Sequence, residues 1–106
     1  MFFSYEDAMA VPAMPGIVRR TLVNGERMMI CEFILDEGAR IPAHNHPHEQ
    51  AGYVASGSIQ LTVGDETRVL RAGDSYCARS GVDHAGVAKE RSVVVDVFSP
   101  PRMEYR

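Results

Sequence analysis

The sequence predicts an all-β fold, a sandwich or closed barrel of short antiparallel strands. Turn-forming residues recur at short intervals along the 106 residues, and the runs between them are rich in Val, Ile, Leu, Met and Tyr, which favour strands. No segment has apolar residues at helical spacing over three turns. The spacing of the turns predicts about eight to eleven strands, with one short helical turn between Tyr5 and Met9.

The turn signals that separate the predicted strands each contain glycine. The pair Asn24-Gly25 lies between two apolar runs and predicts a hairpin. The other turns are expected at Pro15-Gly16, Glu37-Gly38, Ser56-Gly57, Gly64-Asp65, Ala72-Gly73-Asp74 and Ser80-Gly81. No linker or low-complexity segment divides the chain, so residues 1–106 are interpreted as a single domain.

Two predicted strands are apolar on both faces: "ERMMICEFILD", where Glu32 is the exception, and "SVVVDVFSP", where Asp96 is. Strands of this kind are covered on both sides, either in a closed barrel or under a partner chain. A chain this short also leaves much apolar surface outside its core. A homodimer is therefore expected.

Composition argues against nucleic-acid and membrane partners. The net charge is −3, and acidic and basic residues are mixed without a basic block, so nucleic acid is an improbable ligand. No run is long enough to span a bilayer. The first residues, "MFFSYEDAMAVP", contain acids and no base, unlike a signal peptide. We expect a cytoplasmic protein in which Cys31 and Cys77 are reduced thiols of the core.

Three of the four histidines lie within five residues, in the stretch "AHNHPHEQ". Side chains alternate along a strand, so His44 and His46 are expected to project to the same side. Gln50 returns to that side after the proline, and a barrel would bring His84, which follows the turn "SGVD", beside them. A solvated surface loop is the alternative. The clustering favours a metal site with His44, His46, Gln50 and His84 as ligands.

The fourth ligand could be Glu49 instead, but alternation turns Glu49 to the face opposite Gln50. Three neutral imidazoles and a neutral amide leave the full charge on a divalent transition metal ion, whether Ni, Zn, Mn or Fe. Four protein ligands also leave open positions for a small molecule. This arrangement is typical of catalytic sites rather than structural ones.

The histidine-rich stretch resembles the first motif of the cupin family. That motif is a glycine, five residues, His-x-His, three or four residues, usually a glutamate, and then a further glycine. Gly38, His44, His46, Gln50 and Gly57 match this spacing. Gln50 departs from the usual glutamate.

The second cupin motif is a glycine, five residues, Pro-x-Gly, two residues and a histidine. It is matched by Gly73, Gly81 and His84, with Arg79 in place of the proline. Together, the two motifs predict the double-stranded β-helix, or jelly-roll barrel, of the cupins.

The C-terminal strand, within "VVVDVFSPPRMEY", places Val94, Asp96 and Phe98 on one face. An aspartate in an apolar strand is costly unless it is paired or used. Asp96 is therefore either bonded to a backbone amide or an arginine, or it is a general acid and base that faces the cavity. Arg102 follows two prolines and could reach the barrel opening, where its fork would suit a carboxylate.

This ending, with "HPHEQAGYVASG", resembles the small cupins of the KdgF type. That resemblance implies an enzyme that opens 4,5-unsaturated monouronates, released by lyases from pectin and alginate, into the linear keto form. It implies catalytic roles for Asp96 and Arg102, and substrate contacts from Phe98 and Arg102. Glu104 stands for an acid of that ending, and Met103 departs from it.

Other functions are compatible with the same motifs. An iron-dependent dioxygenase also needs a metal with open positions. A non-enzymatic cupin that binds a sugar or metabolite, or a bare metal-binding shell, would show the same ligand spacing. In each case but the last the partner is a small molecule, and an anionic sugar is favoured by Arg102.

Overall fold

The computed structural model describes residues 1–106 as ten β-strands with a short 3₁₀ turn near each end of the chain. This confirms the predicted all-β fold, the strand number and the short helical turn near the start. The elements, in chain order, are a 3₁₀ turn at Tyr5–Asp7, β1 Val11–Met14, β2 Ile17–Asn24, β3 Met29–Leu35, β4 Arg40–His44, β5 Glu49–Ser56, β6 Ser58–Val63, β7 Glu66–Arg71, β8 Ser75–Ala78, β9 His84–Ala88, β10 Ser92–Ser99 and a 3₁₀ turn at Met103–Tyr105.

The strands form two antiparallel sheets. One has six strands in the order β1-β2-β3-β10-β5-β8, and the other has four in the order β4-β9-β6-β7. The last strand, β10, inserts between β3 and β5, so that distant parts of the sequence are neighbours in the sheet. This order gives the jelly-roll arrangement in which the inner faces of the two sheets enclose the core.

The core lies between the sheets, and alternation selects its residues. Along β3 and β10 every second residue is buried, including Cys31, Phe33, Val94 and Phe98. The intervening residues of both strands are half-buried in the single chain, except for Ser99 at the end of β10, which is exposed. The expectation that both faces are covered is therefore met on the inner face only. The homodimer stays a prediction.

The Asn24-Gly25 hairpin forms as predicted, but with a longer loop than a two-residue turn. β2 and β3 pair as far as Asn24 and Met29, and the loop is closed by a hydrogen bond of 3.0 Å from the Gly25 amide to the Met28 carbonyl. A Cβ atom at position 25 would lie 2.8 Å from that carbonyl oxygen. Glycine is required here for close approach.

The two cysteines are free thiols in different environments. Cys31 is fully buried between the sheets, and burial raises the pKa of its thiol. Cys77 is exposed on β8, so the prediction that both are core residues is wrong for Cys77. The reason is that β8 is an edge strand whose outward side faces solvent.

The structure also contains no helix with the length and apolar character that a membrane crossing requires.

We expect a thiol reagent to modify Cys77 and spare Cys31 in the folded protein. The Cys31 thiol is reached only when the barrel opens locally, and little of it is in the reactive thiolate form. Its alkylation should therefore be at least ~100-fold slower than that of Cys77. Mass spectrometry of peptides after timed alkylation measures both rates. Cys77→Ser is the matched control, and rapid labelling of the folded variant would contradict the placement of Cys31.

Candidate metal centre

Two of the four predicted ligands lie directly opposite each other on paired strands. His44 ends β4, His84 begins β9, and the two residues are partners in the antiparallel register. Their imidazole centroids are 4.1 Å apart. The "SGVD" turn therefore delivers His84 to the first histidine cluster, as the sequence predicted.

His46 joins this pair from outside the strand. The expectation that His44 and His46 share one strand is wrong, because β4 ends at His44 and the chain bends at Pro47 and His48 before β5 begins. The two side chains nevertheless face the same place. The backbone of His46 is held by a 2.9 Å hydrogen bond from the Gly81 amide to its carbonyl oxygen. Its ring is 4.9 Å from the ring of His84. One nitrogen from each of the three histidines lies within 4.8 Å of the others.

Backbone carbonyls select the tautomer of all three neutral rings. The Nδ1 atoms of His44, His46 and His84 lie 2.9, 3.0 and 2.9 Å from carbonyl oxygens two residues away. A carbonyl only accepts, so each Nδ1 carries the proton and each Nε2 keeps a lone pair. Burial lowers the pKa of His46 and His84, which favours neutral rings. Metal-binding histidines are commonly oriented in this way.

The arrangement fits a metal ion at a specific place. The Nε2 atom of His84 is buried and has no hydrogen-bond partner. The Nε2 atom of His46 lies 3.0 Å from Oε1 of Gln50. With the His46 proton on Nδ1, both of these atoms are acceptors, and two facing acceptors repel unless a cation lies between them. The three histidines can therefore hold a metal ion, and the Gln50 oxygen faces the same place.

Gln50 owes its orientation to two neighbours behind it. Its amide nitrogen donates to the hydroxyl of Tyr76 at 2.7 Å and to the carboxyl of Asp96 at 3.1 Å. Because a carboxylate accepts, the nitrogen faces Asp96 and the oxygen is turned toward His46. Glu49 is exposed on the opposite face of β5. The geometry thus brings Gln50 to the histidines and leaves Glu49 outside.

Asp96 faces the cavity, as alternation predicted, but with different partners. Tyr76 donates its hydroxyl proton to the carboxyl of Asp96 at 2.7 Å. The two partners expected for a structural role, a backbone amide or an arginine, are therefore both wrong. Burial raises the pKa of Asp96 to about 7, although the bonds from Tyr76 and Gln50 act in the opposite direction. Asp96 can therefore exist in either protonation state near neutral pH.

Tyr76 is the functional residue that the sequence analysis missed. It lies on β8, and both Tyr76 and Asp96 are paired with Gly52 of β5, from opposite sides. A Cβ atom at Gly52 would lie 2.0 Å from the ring of Tyr76 and 2.4 Å from the carboxyl of Asp96. Glycine in the middle of a strand was the available signal, since it marks a close approach by a neighbour.

Arg102 and Phe98 contribute to the same apolar cavity, which lies between the sheets and also borders on Asp96. Phe98 is buried, with its ring centroid 6.0 Å from that of His46. The guanidinium carbon of Arg102 lies 5.4 Å from the Phe98 ring and 4.3 Å from the Tyr105 ring. Its Nη2 atom is 3.3 Å from the carboxylate of Glu104. The C-terminal segment thus places one cation beside the cavity.

The enclosed part of this cavity is about 50 Å³. Pockets that enclose small organic ligands are usually ~300 Å³ or larger. A sugar-sized ligand therefore requires some of the lining side chains to move. Arg102 and Tyr105 are the lining residues that lie outside the strands, in the segment after β10.

Comparison with known proteins identifies the family. Residues 31–98 match the model of the cupin domain. The chain is a cupin. The matched segment runs from β3 to β10 and contains all four residues that converge at the candidate metal site.

Among curated proteins, this cupin is similar to the pectin degradation protein KdgF of Dickeya dadantii strain 3937. The two are 34% identical over 92 residues, which cover 85% of this chain and 84% of that protein.

Two solved structures have nearly the same fold. One is KdgF from a Halomonas species, with a TM-score of 0.94 and 32% identity over 100% of this chain and 98% of that one. The other is an RmlC-like cupin from Shewanella frigidimarina, with a TM-score of 0.94 and 30% identity over 99% of this chain and 95% of that one. The resemblance to KdgF-type cupins is confirmed.

We expect the double variant His44→Ala/His46→Ala to lose its bound metal, because two of the three converging imidazoles are removed. Elemental analysis of purified protein should fall from about one ion per chain to near none. His48→Ala is the matched control and should keep the metal, since His48 lies outside the converging group. Unchanged metal content in the double variant would show that the site is elsewhere.

Tyr76→Phe is expected to weaken metal binding by ~10-fold or more, as is usual when a group that orients a ligand is removed. The ring is kept, so packing against Gly52 should survive. Competition with a chelator measures the affinity. Tyr53→Phe removes a hydroxyl from an exposed tyrosine on β5 and should have no effect. Equal affinities for both variants would mean that Tyr76 does not orient Gln50.

Proposed function

We propose that this cupin acts in the breakdown of pectin and related uronate polymers, by opening 4,5-unsaturated monouronates to their linear keto form. One observation carries the proposal: the buried carboxyl of Asp96, whose pKa is raised by burial, is held by Tyr76 and lies 3.1 Å from Gln50, in a cavity that Arg102 also lines. The likeness to two KdgF proteins, one of them named for pectin degradation, supports the choice of substrate.

The residues that would hold a metal ion are His44, His46, His84 and Gln50, through three Nε2 atoms and Oε1. A divalent ion held there would supply Lewis acidity toward oxygen atoms of the substrate. All four ligands are neutral, so none of them offsets the charge of the ion. The nearest acid is Asp96, whose carboxyl accepts a hydrogen bond from the Gln50 amide.

The reaction needs one proton to change position. Removal of the anomeric hydroxyl proton allows the bond between C1 and the ring oxygen to break, which leaves an aldehyde at C1 and an enolate at C5. Protonation at C4 then gives the ketone at C5. Asp96 is suited to accept the first proton and return it at C4, because a group with a pKa near 7 works as both base and acid at neutral pH.

Tyr76 and Gln50 keep the carboxyl of Asp96 in place during this transfer. Each donates one hydrogen bond to a different oxygen of the carboxyl. Both bonds stabilise the ionised form, which is the form that accepts a proton. A carboxyl fixed at both oxygens also loses little rotational freedom when the substrate binds.

Arg102 is suited to bind the carboxylate of the substrate. Its guanidinium lies against the face of Tyr105, and its Nε atom has no hydrogen-bond partner. Its Nη2 atom contacts the exposed carboxylate of Glu104, which a substrate carboxylate would replace to make a two-point contact. Phe98 would form the apolar floor beside it. The net charge of −3 repels an anionic sugar weakly at long range, and the local cation dominates at contact distance.

The activity is tested with an unsaturated galacturonate monomer, by following the loss of its ultraviolet absorbance as the alkene disappears. The free sugar opens slowly unaided, so the measured quantity is the rate in excess of that background. Asp96→Asn should reduce this excess by roughly a hundredfold or more while metal stays bound. Arg102→Ala should raise KM by ~10-fold or more with a smaller change in kcat.

Glu49→Gln provides the matched control, because it neutralises an exposed acid next to the site without touching the cavity. It should leave both constants unchanged. The ring-opening proposal fails if metal-loaded wild-type protein gives no excess rate on monomers derived from either galacturonate or mannuronate.

A further inference from the structure

An arginine that the ring-opening mechanism does not use lies on the inner face of β2. Ile17, Arg19 and Thr21 alternate toward the interior, and Arg19 is paired in register with Phe33, a buried residue of β3. Arg20, its neighbour in sequence, points outward, where it contacts Tyr5 and Glu32. A charge on the inner side of a barrel strand is costly and normally needs a partner.

Arg19 has no such partner within the protein. The ion pairs of the structure are Arg20–Glu32, Arg68–Glu66 and Arg102–Glu104. The guanidinium of Arg19 donates no hydrogen bond, and its Nε atom is enclosed without an acceptor.

The aromatic ring that Arg19 contacts is shared with Arg102. The guanidinium carbons of Arg19 and Arg102 lie 4.1 and 4.3 Å from the centroid of Tyr105. The two positive charges are thus held close together around one ring. The carboxylate of Glu104 contacts only Arg102 and is itself 57% exposed. Only Arg102 of the two has an acidic partner, and an anion bound near Tyr105 would be attracted by both positive charges.

Stacking leaves both arginines ready to bind such an anion. A guanidinium that lies over an aromatic ring uses its face, while its nitrogen donors point outward in the plane. The Tyr105 ring contacts Phe33 and Phe98, and the Tyr105 carbonyl oxygen accepts a hydrogen bond from the Thr21 hydroxyl. The donors of Arg19 are unused within the protein.

The location of Arg19 connects it with the candidate active site. Three residues beside it, Ile17, Phe33 and Tyr105, line the cavity that also contains Asp96. That cavity is too small for a sugar until part of its lining moves, and a shift of the Tyr105 ring would add the guanidinium of Arg19 to its wall.

We propose that Arg19 is a second cationic residue of the substrate site, which binds the carboxylate of an acidic sugar together with Arg102. The inference rests on the ring-opening function for the identity of that sugar, but not for the presence of the anion site. It assigns to Arg19 a role in selecting acids over neutral sugars. The outward-facing Arg20 has no part in it.

The kinetic test compares Arg19→Gln with the matched control Arg20→Gln, which removes the same charge from the other face of β2. Arg19→Gln should raise KM for the unsaturated galacturonate by ~10-fold or more and keep kcat within about twofold, because it removes a binding contact and no proton carrier. Arg20→Gln should change neither constant. Arg19→Lys should restore only part of the binding, since lysine lacks the planar fork.

A binding test separates this inference from the proposed reaction. D-galacturonate and neutral D-galactose, neither of which has the alkene, are titrated into wild type, Arg19→Gln and Arg20→Gln by calorimetry at millimolar concentrations. The acid should bind wild type and Arg20→Gln at least ~10-fold more tightly than Arg19→Gln, and the neutral sugar should show no such difference. Thermal denaturation confirms that each variant is folded.

The outcomes are distinct. If wild type binds D-galacturonate through Arg19 but does not catalyse ring opening, the ring-opening function is ruled out and the anion site is supported. Catalysis with equal KM values for Arg19→Gln and Arg20→Gln would overturn the role of Arg19. Absence of galacturonate binding to wild type would overturn it as well.

Discussion

The hydrogen bonds among Gln50, Tyr76 and Asp96 are the constraint on which the candidate site depends. They turn the oxygen of Gln50 toward the histidines and at the same time hold the carboxyl of Asp96 at both oxygens. A single network therefore sets the direction of one candidate metal ligand and the position of the proposed proton carrier. Because the network is buried, a missing member would leave its partners unsatisfied, which is more costly than at a surface.

The same network explains an amide at a position where cupins usually have a glutamate. A carboxylate at position 50 would lie about 3 Å from that of Asp96, and two buried carboxylates at that distance cannot both be ionised. The amide avoids this conflict because its nitrogen donates to Asp96. In this protein position 50 is neutral. The acid is instead Asp96, which is hydrogen-bonded to Gln50 and can exchange a proton.

Alternation along strands accounts for most of what the sequence predicted correctly. It placed Gln50 with the histidines, Glu49 outside, and Asp96 on the buried face with Phe98, because side chains alternate between the two faces of each strand. It also predicted that His44 and His46 face the same place, which they do, although His46 lies beyond the end of β4 and not on a shared strand. It was silent on Tyr76, which reaches Asp96 across an intervening strand, and on the pairing of Arg19 with Tyr105, residues at opposite ends of the chain. Contacts of this kind depend on the sheet order, which local patterns do not contain.

The two sheets carry different parts of the site. His44 and His84 belong to the four-stranded sheet, whereas Gln50 belongs to the six-stranded one. An ion coordinated by all of them would link two layers that otherwise meet through side-chain packing and through the hydrogen bonds between Ser58 of β6 and the Ser92 hydroxyl of β10. Loading would then stiffen the whole sandwich as well as complete a reactive centre, because a ligand that binds only the folded state raises its stability. The melting temperature of the protein would then rise with the fraction of chains that carry a metal ion.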